Sequence, residues 1–486
     1  MLRLYSIVFA SVLAAASVLG EEGHNVLFIA VDDLRPALGC YGDEVAVTPH
    51  LDALAARGTV FVRAYCQEAV CNPSRASLLT GRYPDTTRVW DLSAHFRDAL
   101  PDVVTLPQAF KEGGYRTIGV GKILHGSGRA SVDEVSWTEP TEYHYVRAPE
   151  LRYALPRNLE GKGLKRDASE SADVEDGHYT DGVVAARAIE RLGELAAGEK
   201  PFFLAVGYRK PHLPFCAPQR YWDLYDEEAI PAVEDVGAPF EAPEWATRSW
   251  MELEGYRDIP KDGGVTAAQV RRLRHGYYAC VSYVDALIGG LLGEMDRLGL
   301  RDDTIVVVWG DHGFHLGEQS LWTKSNNYEL STRVPLIVSA PGQQDAGAIC
   351  EALVELVDVY PTLVEWCDMP MPEGLEGRSL VPLLNDADME WADSALSQFP
   401  RAREGNRHKG HGSVMGYSLR TDRYRYVEWR DLERGGVEAV ELYDHKNDAA
   451  EMRNLVNDPE KAAVLRAHAE MLETRGVGMF EREARK

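Results

Sequence analysis

The chain has 486 residues, with 52 Lys and Arg against 76 Asp and Glu, a formal net charge of −24. At 45% hydrophobic and 26% charged residues the composition is globular, which excludes wholesale disorder and a collagen-like chain. The acidic excess argues against a nucleic-acid or anionic-membrane surface, since both need clustered Lys and Arg, and taken alone it would also argue against an anionic substrate.

Residues 1–20 stand apart. Arg3 is their only charge, an apolar run from Leu4 to Ala16 follows, and small residues lead to Gly20. They read as a secretory signal peptide, cut after Ala16 or Gly20, which predicts an exported chain, periplasmic or secreted; the other reading is an uncleaved N-terminal anchor. No other stretch reaches the roughly 18 apolar residues of a membrane span. Asn25–Val31 reads as a buried strand, and Asp32-Asp33 follows at once. Residues 105–112 read as a short helix capped by Thr105 and stopped by Gly113-Gly114. A strand at 116–120 runs into Gly121-Lys122, helical spacing covers 181–197, and a strand at 202–206 leads to Lys210-Pro211-His212. Apolar residues at Val270, Leu273, Tyr277, Val281, Val284, Leu287, Ile288, Leu291 and Met295 predict a long amphipathic helix over 266–298, with Thr266 as cap and Gly299 at its end. A strand at 304–309 ends in Gly310-Asp311-His312-Gly313, and 334–339 is one more.

Strands alternating with helices predict an α/β domain on a large, mostly parallel sheet covered on both faces. The polar residues just named fall after strand C-termini, the edge at which such sheets bind ligands. Residues 128–181 and 215–264 are polar and less periodic, and are expected to form excursions over that edge. From about residue 375 the character changes: 417–420 and 424–429, around Thr421-Asp422-Arg423, read as a hairpin, 439–443 as a third strand and 461–474 as a terminal helix. The organisation expected is a catalytic domain over 21–375 and a smaller subdomain with an antiparallel sheet over 376–486.

Seven cysteines are present, at 40, 66, 71, 216, 280, 350 and 367, and none form C-x-x-C, so a zinc ribbon or thioredoxin-like site is not indicated. An odd count in an exported chain leaves at least one thiol to be explained. Cys280, within an apolar helix, reads as a small core residue. Cys71-Asn72-Pro73-Ser74-Arg75 is the sharpest feature. Pro73 suits the first turn of a helix, which puts Cys71 at a helix N-terminus, where free N–H groups and the dipole favour anions; the alternative is a buried cysteine ahead of an ordinary helix. Asp32-Asp33 and Asp311-His312, each after a buried strand, together suit a hard divalent cation, whereas either pair alone reads as a cap or a solvated turn. Lys122, His125, His212 and Lys324 form a cationic set; singly, each reads as a solvated surface residue.

C-x-P-S-R followed by Ala76-Ser77-Leu78-Leu79-Thr80-Gly81-Arg82 resembles the motif of type I sulfatases. The resemblance implies the alkaline-phosphatase-like sulfatase fold, and conversion of Cys71 by a maturation enzyme to formylglycine, which would account for the odd cysteine. One hydroxyl of the hydrated aldehyde would attack sulfur and expel the alcohol; the second would then lose its proton, so that the C–O bond breaks and sulfate leaves. The resemblance further implies calcium held by Asp32, Asp33, Asp311 and His312 with modified Cys71 as another ligand, His312 being a softer donor than calcium prefers. Gly121-Lys122-Ile123-Leu124-His125 matches the family's G-K-x-x-H, Pro211-His212 its P-H segment, and Lys324 follows the metal pair at the family's interval. By resemblance Arg75 and Lys122 would hold formylglycine and sulfate, His125 would take the second hydroxyl's proton, and His212 and Lys324 would contact the sulfate and assist the leaving oxygen.

Val31-Asp32-Asp33-Leu34-Arg35-Pro36, Leu38-Gly39-Cys40-Tyr41-Gly42, Arg82-Tyr83-Pro84-Asp85-Thr86-Thr87-Arg88 and Met415-Gly416-Tyr417-Ser418-Leu419-Arg420-Thr421 are similar to the iduronate-2-sulfatase-like group of that family. This implies a sulfated carbohydrate as substrate. The acidic surface favours a short sulfated oligosaccharide or an exo-acting enzyme over a long polyanion lying across the surface. The alternatives are a phosphonate or phosphodiester hydrolase of the same superfamily and a non-catalytic sulfated-glycan-binding protein.

Overall fold

The computed structural model describes residues 23–126, 132–143, 148–160, 166–247, 252–261, 264–402 and 413–476. The expected leader at 1–20 lies outside them, as do parts of the excursions at 128–181 and 215–264. Strand β1 (Asn25–Val31) sends Leu27, Ile29 and Val31 into one core cluster and Val26, Phe28 and Ala30 into another. A strand buried on both faces must lie inside a layered sandwich, and β1 does. In chain order the elements that build the sandwich are β2 (Thr59–Phe61), α1 (Cys71–Thr80), α2 (Leu106–Glu112), β3 (Arg116–Gly121), α3 (Thr180–Ala196), β4 (Phe202–Tyr208), α4 (Ala267–Arg297), β5 (Thr304–Gly310), β6 (Leu336–Ser339), β7 (Ile349–Cys350) and α5 (Val359–Trp366). Helices α3 and α4 cover the Leu27 face; α1, α2 and α5 cover the Phe28 face.

Among the described residues, seven strands form this sheet in the order β7-β2-β6-β5-β1-β4-β3. Strands β5, β1, β4 and β3 are parallel neighbours, and only β6 runs against its flanking strands. Val31 stands level with Tyr208 and Gly310, and Gly121 with Gly207. Four consecutive strands therefore end together, and the segments after them meet at one edge. The close approach is made possible by Gly207: a side chain there would strike the Lys122 carbonyl, whose own N–H donates to Gly207 O at 2.8 Å.

Local chemistry explains the helix boundaries. Thr266 and Gln269 form a capping box at the start of α4. Thr105 Oγ1 accepts from Gln108 N at 3.3 Å to open α2, and Gly81, at φ 64°, closes α1 in the left-handed region. No helix among the described residues is long and apolar enough to cross a membrane. All seven cysteines are unpaired, and Cys280 is fully buried in α4.

Leu380, Leu383 and Leu384 pack into the main core, so the C-terminal sheet starts only beyond them. It is four-stranded and antiparallel: β8 (Ser394–Arg401), β9 (Val414–Thr421), β10 (Tyr424–Asp431) and β11 (Val437–Asp444). Helix α6 (Ala462–Thr474) packs Leu472 against Tyr417, Leu419 and Tyr426. The pattern of residues predicted three of these strands. The fourth, β8, is an edge strand that carries Pro400, which edge positions tolerate.

Candidate active site

The first turn of α1 holds the site together. Ser74 Oγ donates to Asp311 O at 2.5 Å, and Arg75 Nε donates to Asp311 Oδ2 at 2.8 Å. Arg75 is fully buried; it also donates to Asp32 Oδ1 at 3.3 Å and to the carbonyls of Lys122 and Ile123. One guanidinium thus clamps the segments after β1, β3 and β5, which is what its planar fork of donors suits. Lys122 Nζ pairs with Asp32 Oδ2.

Asp33 takes a left-handed backbone, φ 61°, which Asp tolerates better than most residues. The turn is fixed from α4: Tyr277 OH donates to Asp33 O at 2.8 Å and accepts from Arg35 N at 2.9 Å. Lys324 Nζ lies 3.0 and 2.9 Å from the two Asp33 oxygens. His312 Nε2 is 3.4 Å from Asp33 Oδ1 and 3.3 Å from Cys71 Sγ, while its Nδ1 lies 3.0 Å from Gly313 O. With the proton on Nδ1, the Nε2 lone pair faces Cys71 and Asp33, the orientation a metal-binding imidazole needs.

Asp32, Asp33, Cys71 and His312 each present a ligand atom, all within 4.8 Å of one another and all buried. Three of these donors suit a divalent cation; the thiol is too soft for calcium, and an oxygen at position 71 would correct that. Asp311 stands beside the group, Oδ1 3.7 Å from His312 Nε2. Its Oδ1 also accepts from the N–H groups of Asp33 and His312, both at 3.0 Å. A second group, Glu329, His445 and Glu451, is a structural knot: Glu329 pairs with Arg420 and Arg425, and Glu451 with Arg425.

His212 reaches the site on the segment after β4, whose Arg209 and Lys210 N–H groups are held by Asp181 at 2.7–3.0 Å. His212 Nδ1 lies 2.6 Å from Leu213 O, and Nε2 lies 3.4 Å from Glu252 Oε1. Glu252 Oε2 lies 3.0 Å from Lys324 Nζ. His125 follows Lys122, and its Nδ1 is buried with no hydrogen-bond partner among the described residues. A hollow opens beside His212, lined in part by Arg152, Tyr179, Arg209 and Lys210.

The electrostatics follow from burial and pairing. Burial works to raise the Asp32 carboxyl, but Lys122, His212 and Arg75 outweigh it and hold it well below the usual carboxylate range. Asp33 is pushed up to about 7 by burial, only partly opposed by Lys324. Burial, then the negative charge of Asp32, pushes the Cys71 thiol well above its ordinary value. It is therefore a neutral thiol at neutral pH and a poor nucleophile. Burial and Lys122 bring His125 down to about 2; burial brings His212 down to about 4 against the pull of Glu252.

The structure thus brings the acidic set Asp32, Asp33 and Asp311 together with His312, Cys71, Arg75, Lys122, His125, His212 and Lys324 at one sheet edge. Sequence reasoning missed Glu252, which comes from the polar 215–264 excursion with no motif to mark it. It also missed the bracing from the C-terminal sheet. Ser397 Oγ donates to Cys66 O at 2.6 Å, Gln398 N to Gln67 O at 2.7 Å, and Asn327 Nδ2 to Gly416 O at 2.9 Å. These bonds steady the approach to Cys71 and the segment after Lys324.

Comparison with known proteins bears on this edge. A family model described as Sulfatase matches residues 24–369, and one described as N-sulphoglucosamine sulphohydrolase, C-terminal, matches 317–476. The chain is 34% identical over 535 residues to iduronate 2-sulfatase of Mus musculus, covering 96% of each chain. It is 33% identical over 507 residues to iduronate 2-sulfatase of Homo sapiens, covering 90% of this chain and 92% of that one. Among solved structures, phosphonate monoester hydrolase from Silicibacter pomeroyi superposes with a TM-score of 0.76 at 25% identity, covering 93% of this chain and 95% of that one.

Proposed function

The chain belongs to the sulfatase family and is a sulfuric ester hydrolase, and on that premise we propose that it is exported and removes sulfate from a sugar, with Cys71 converted to formylglycine and calcium bound beside it. The observation that carries the reading is the position of Cys71. It opens a buried helix, faces the Asp32, Asp33 and His312 donor group, and shares its sheet edge with Arg75, Lys122 and Lys324.

Asp32, Asp33, Asp311, His312 and the converted residue 71 would hold the cation. Calcium would supply charge compensation for the sulfate oxygens. Formylglycine, hydrated, would supply one hydroxyl to attack sulfur and a second to drive sulfate release. Arg75 fixes the carboxylates at set distances, so the donors need no reorganisation when the ester binds. Lys122 pairs with Asp32 and Lys324 with Asp33, and the two ammonium groups would hold the sulfate oxygens. His125, neutral and with a free Nδ1, would accept the proton of the second hydroxyl. His212, with Lys324, would face the leaving oxygen.

The sugar substrate is supported by the relatives named iduronate 2-sulfatase, and by a fold neighbour solved in complex with its substrate D-glucosamine-2-N,6-O-disulfate. The acidic surface favours a short or terminal sulfated sugar. The leader-like segment 1–20 supports export. The decisive experiment is the mass of the tryptic peptide 64–75, bounded by Arg63 and Arg75, combined with sulfate release from sulfated disaccharides. An unmodified thiol in a chain that turns over would overturn the formylglycine assignment.

The likeness to a phosphonate monoester hydrolase keeps a second reading in view. Comparing kcat/KM on a sulfate ester and a phosphonate monoester of one alcohol separates the two, and a preference for the phosphonate would favour the second. Tight binding of sulfated sugar without release, with Cys71 unmodified, would favour a glycan-binding role.

A further inference from the structure

Glu252 enters the site from outside the sheet edge, at the start of the turn Leu253–Gly255. Its carboxylate bridges Lys324 Nζ at 3.0 Å and His212 Nε2 at 3.4 Å. Burial would raise this carboxyl, but Lys324 and His212 outweigh it and bring it down to about 2, so it is ionised at working pH. Lys324 has a second carboxyl neighbour as well, both Asp33 oxygens lying within 3.0 Å of the same Nζ. A fixed negative charge has been placed against the two groups that would face the ester.

That charge acts differently on different esters. A sulfate monoester is a monoanion at every working pH. A phosphate monoester has a second pKa near 6 and is close to a dianion at neutral pH. Repulsion from one fixed charge scales with the charge of the ligand. We propose that Glu252 sets the charge selectivity of this site, admitting monoanionic sulfate esters and penalising dianionic phosphate monoesters. The proposal rests on the assignment of His212 and Lys324 to the ester group.

At a separation of about 6 Å and an effective dielectric of about 20, removing one unit charge changes the binding of a monoanion by a factor of roughly 10 to 100, and that of a dianion by roughly the square of that factor. The ratio of phosphate to sulfate ester reactivity therefore moves by roughly 10- to 100-fold.

The test compares wild type, Glu252→Gln and Glu252→Ala, each with its content of formylglycine measured, on nitrophenyl sulfate, nitrophenyl phosphate and a nitrophenyl phosphonate monoester at about pH 8, where the phosphate is a dianion. Both variants should raise the phosphate-to-sulfate ratio of kcat/KM by about 10-fold or more, and should bind phenyl phosphate more tightly as an inhibitor. The phosphonate monoester carries phosphorus but only one charge, so its ratio to the sulfate ester should stay within about threefold. Loss of sulfate and phosphate turnover in equal proportion would overturn the proposal and make Glu252 only a positioning residue. A rise of both phosphorus esters together would also overturn it, because charge would not be the property read. A formylglycine-bearing wild type that hydrolyses no sulfate ester would instead overturn the function proposed above.

Discussion

Arg75→Ala is the substitution on which the geometry makes its largest demand. The guanidinium is fully buried and serves Asp311 at 2.8 Å, Asp32 at 3.3 Å and two backbone carbonyls. Removing one partner of a buried ion pair costs about 3–5 kcal/mol, and each carbonyl left without a donor costs about 1–3 kcal/mol. Lys122 still answers Asp32 in the variant, which places the total near the lower end, about 5 kcal/mol. A chain of 486 residues unfolds with an entropy near 1 kcal/mol/K, at about 2.1 cal/mol/K per residue. The expected fall in Tm is therefore about 5 °C. Arg75→Lys keeps the charge but loses the planar fork, and should fall by about half as much. Scanning calorimetry in chelator, where no bound cation can stand in for the lost charge, reads the effect, and kcat/KM should fall by about 10²-fold or more in both variants. A Tm within about 1 °C of wild type for Arg75→Ala would refute the reasoning that this side chain holds three segments of the edge together. A lowered Tm with unchanged kcat/KM would refute only its place beside the reacting ester.

The other predictions concern the chemistry. Cys71→Ala should end sulfate release while leaving Tm within about 2 °C, because the thiol makes no strong bond that the fold needs; residual sulfate release would refute the assignment of residue 71. His125→Ala should release about one equivalent of alcohol per site and then stall, and steady turnover after rapid mixing would remove His125 from the second step. Asp32→Ala should lose calcium binding by titration calorimetry, and an unchanged affinity would take Asp32 out of the donor set. Acidification gives a further check. His125 is down at about 2 in the folded chain but protonates near 6.5 when unfolded, so the unfolded state binds more protons between those values and stability falls as pH drops through that window. Asp33, raised to about 7, works in the opposite sense, so the quantity to read is the difference between variants. His125→Asn should lose less Tm than wild type between about pH 7 and pH 5, and equal losses would show that the imidazole is not held neutral.

How far the chain could be read in advance depended on how locally each feature is specified. Strand β1 was legible because a strand covered on both faces must be apolar at every position. The residues that follow β1, β3, β4 and β5 were legible for the same reason: they are the first polar groups after an apolar run, and parallel strands put them at one edge. Arg75 was flagged by its motif, but its four partners come from segments 32, 122–123 and 311, and no spacing in the sequence states that they meet. Strand β8 was hidden because its residues face two tasks. Leu396 packs in the sheet's core, while Ser397 and Gln398 spend their polar groups on Cys66, Gln67 and Asp85. That mixture has neither the period of a half-buried strand nor the continuity of a buried one. Glu252 was hidden more completely. It lies in an irregular segment, and an isolated glutamate there has no local property that distinguishes it from a solvated one.

The net charge of −24 also takes on a different meaning at this scale. At the site the carboxyl groups of Asp32, Asp33, Asp311 and Glu252 face the cations of Arg75, Lys122 and Lys324, a formal four negative against three positive, with Asp33, raised to about 7, partly protonated near neutral pH. An anionic ester would gain no net attraction from that balance. A divalent cation, held as proposed by Asp32, Asp33, Asp311 and His312, would keep Asp33 ionised and bring the formal −1 to +1, which one sulfate monoester would neutralise and one phosphate dianion would overshoot. On the proposed reading, the carboxylates that make the chain look hostile to anions are what would make the site need a metal to receive one. The acid at the site and the acid of the surface have separate consequences: the first fixes which charge state binds, the second discourages long polyanions from lying across the protein. Because the buried pairs are shielded from salt far better than exposed charges, the selection of a single sulfate group should persist at ionic strengths that erase the surface repulsion.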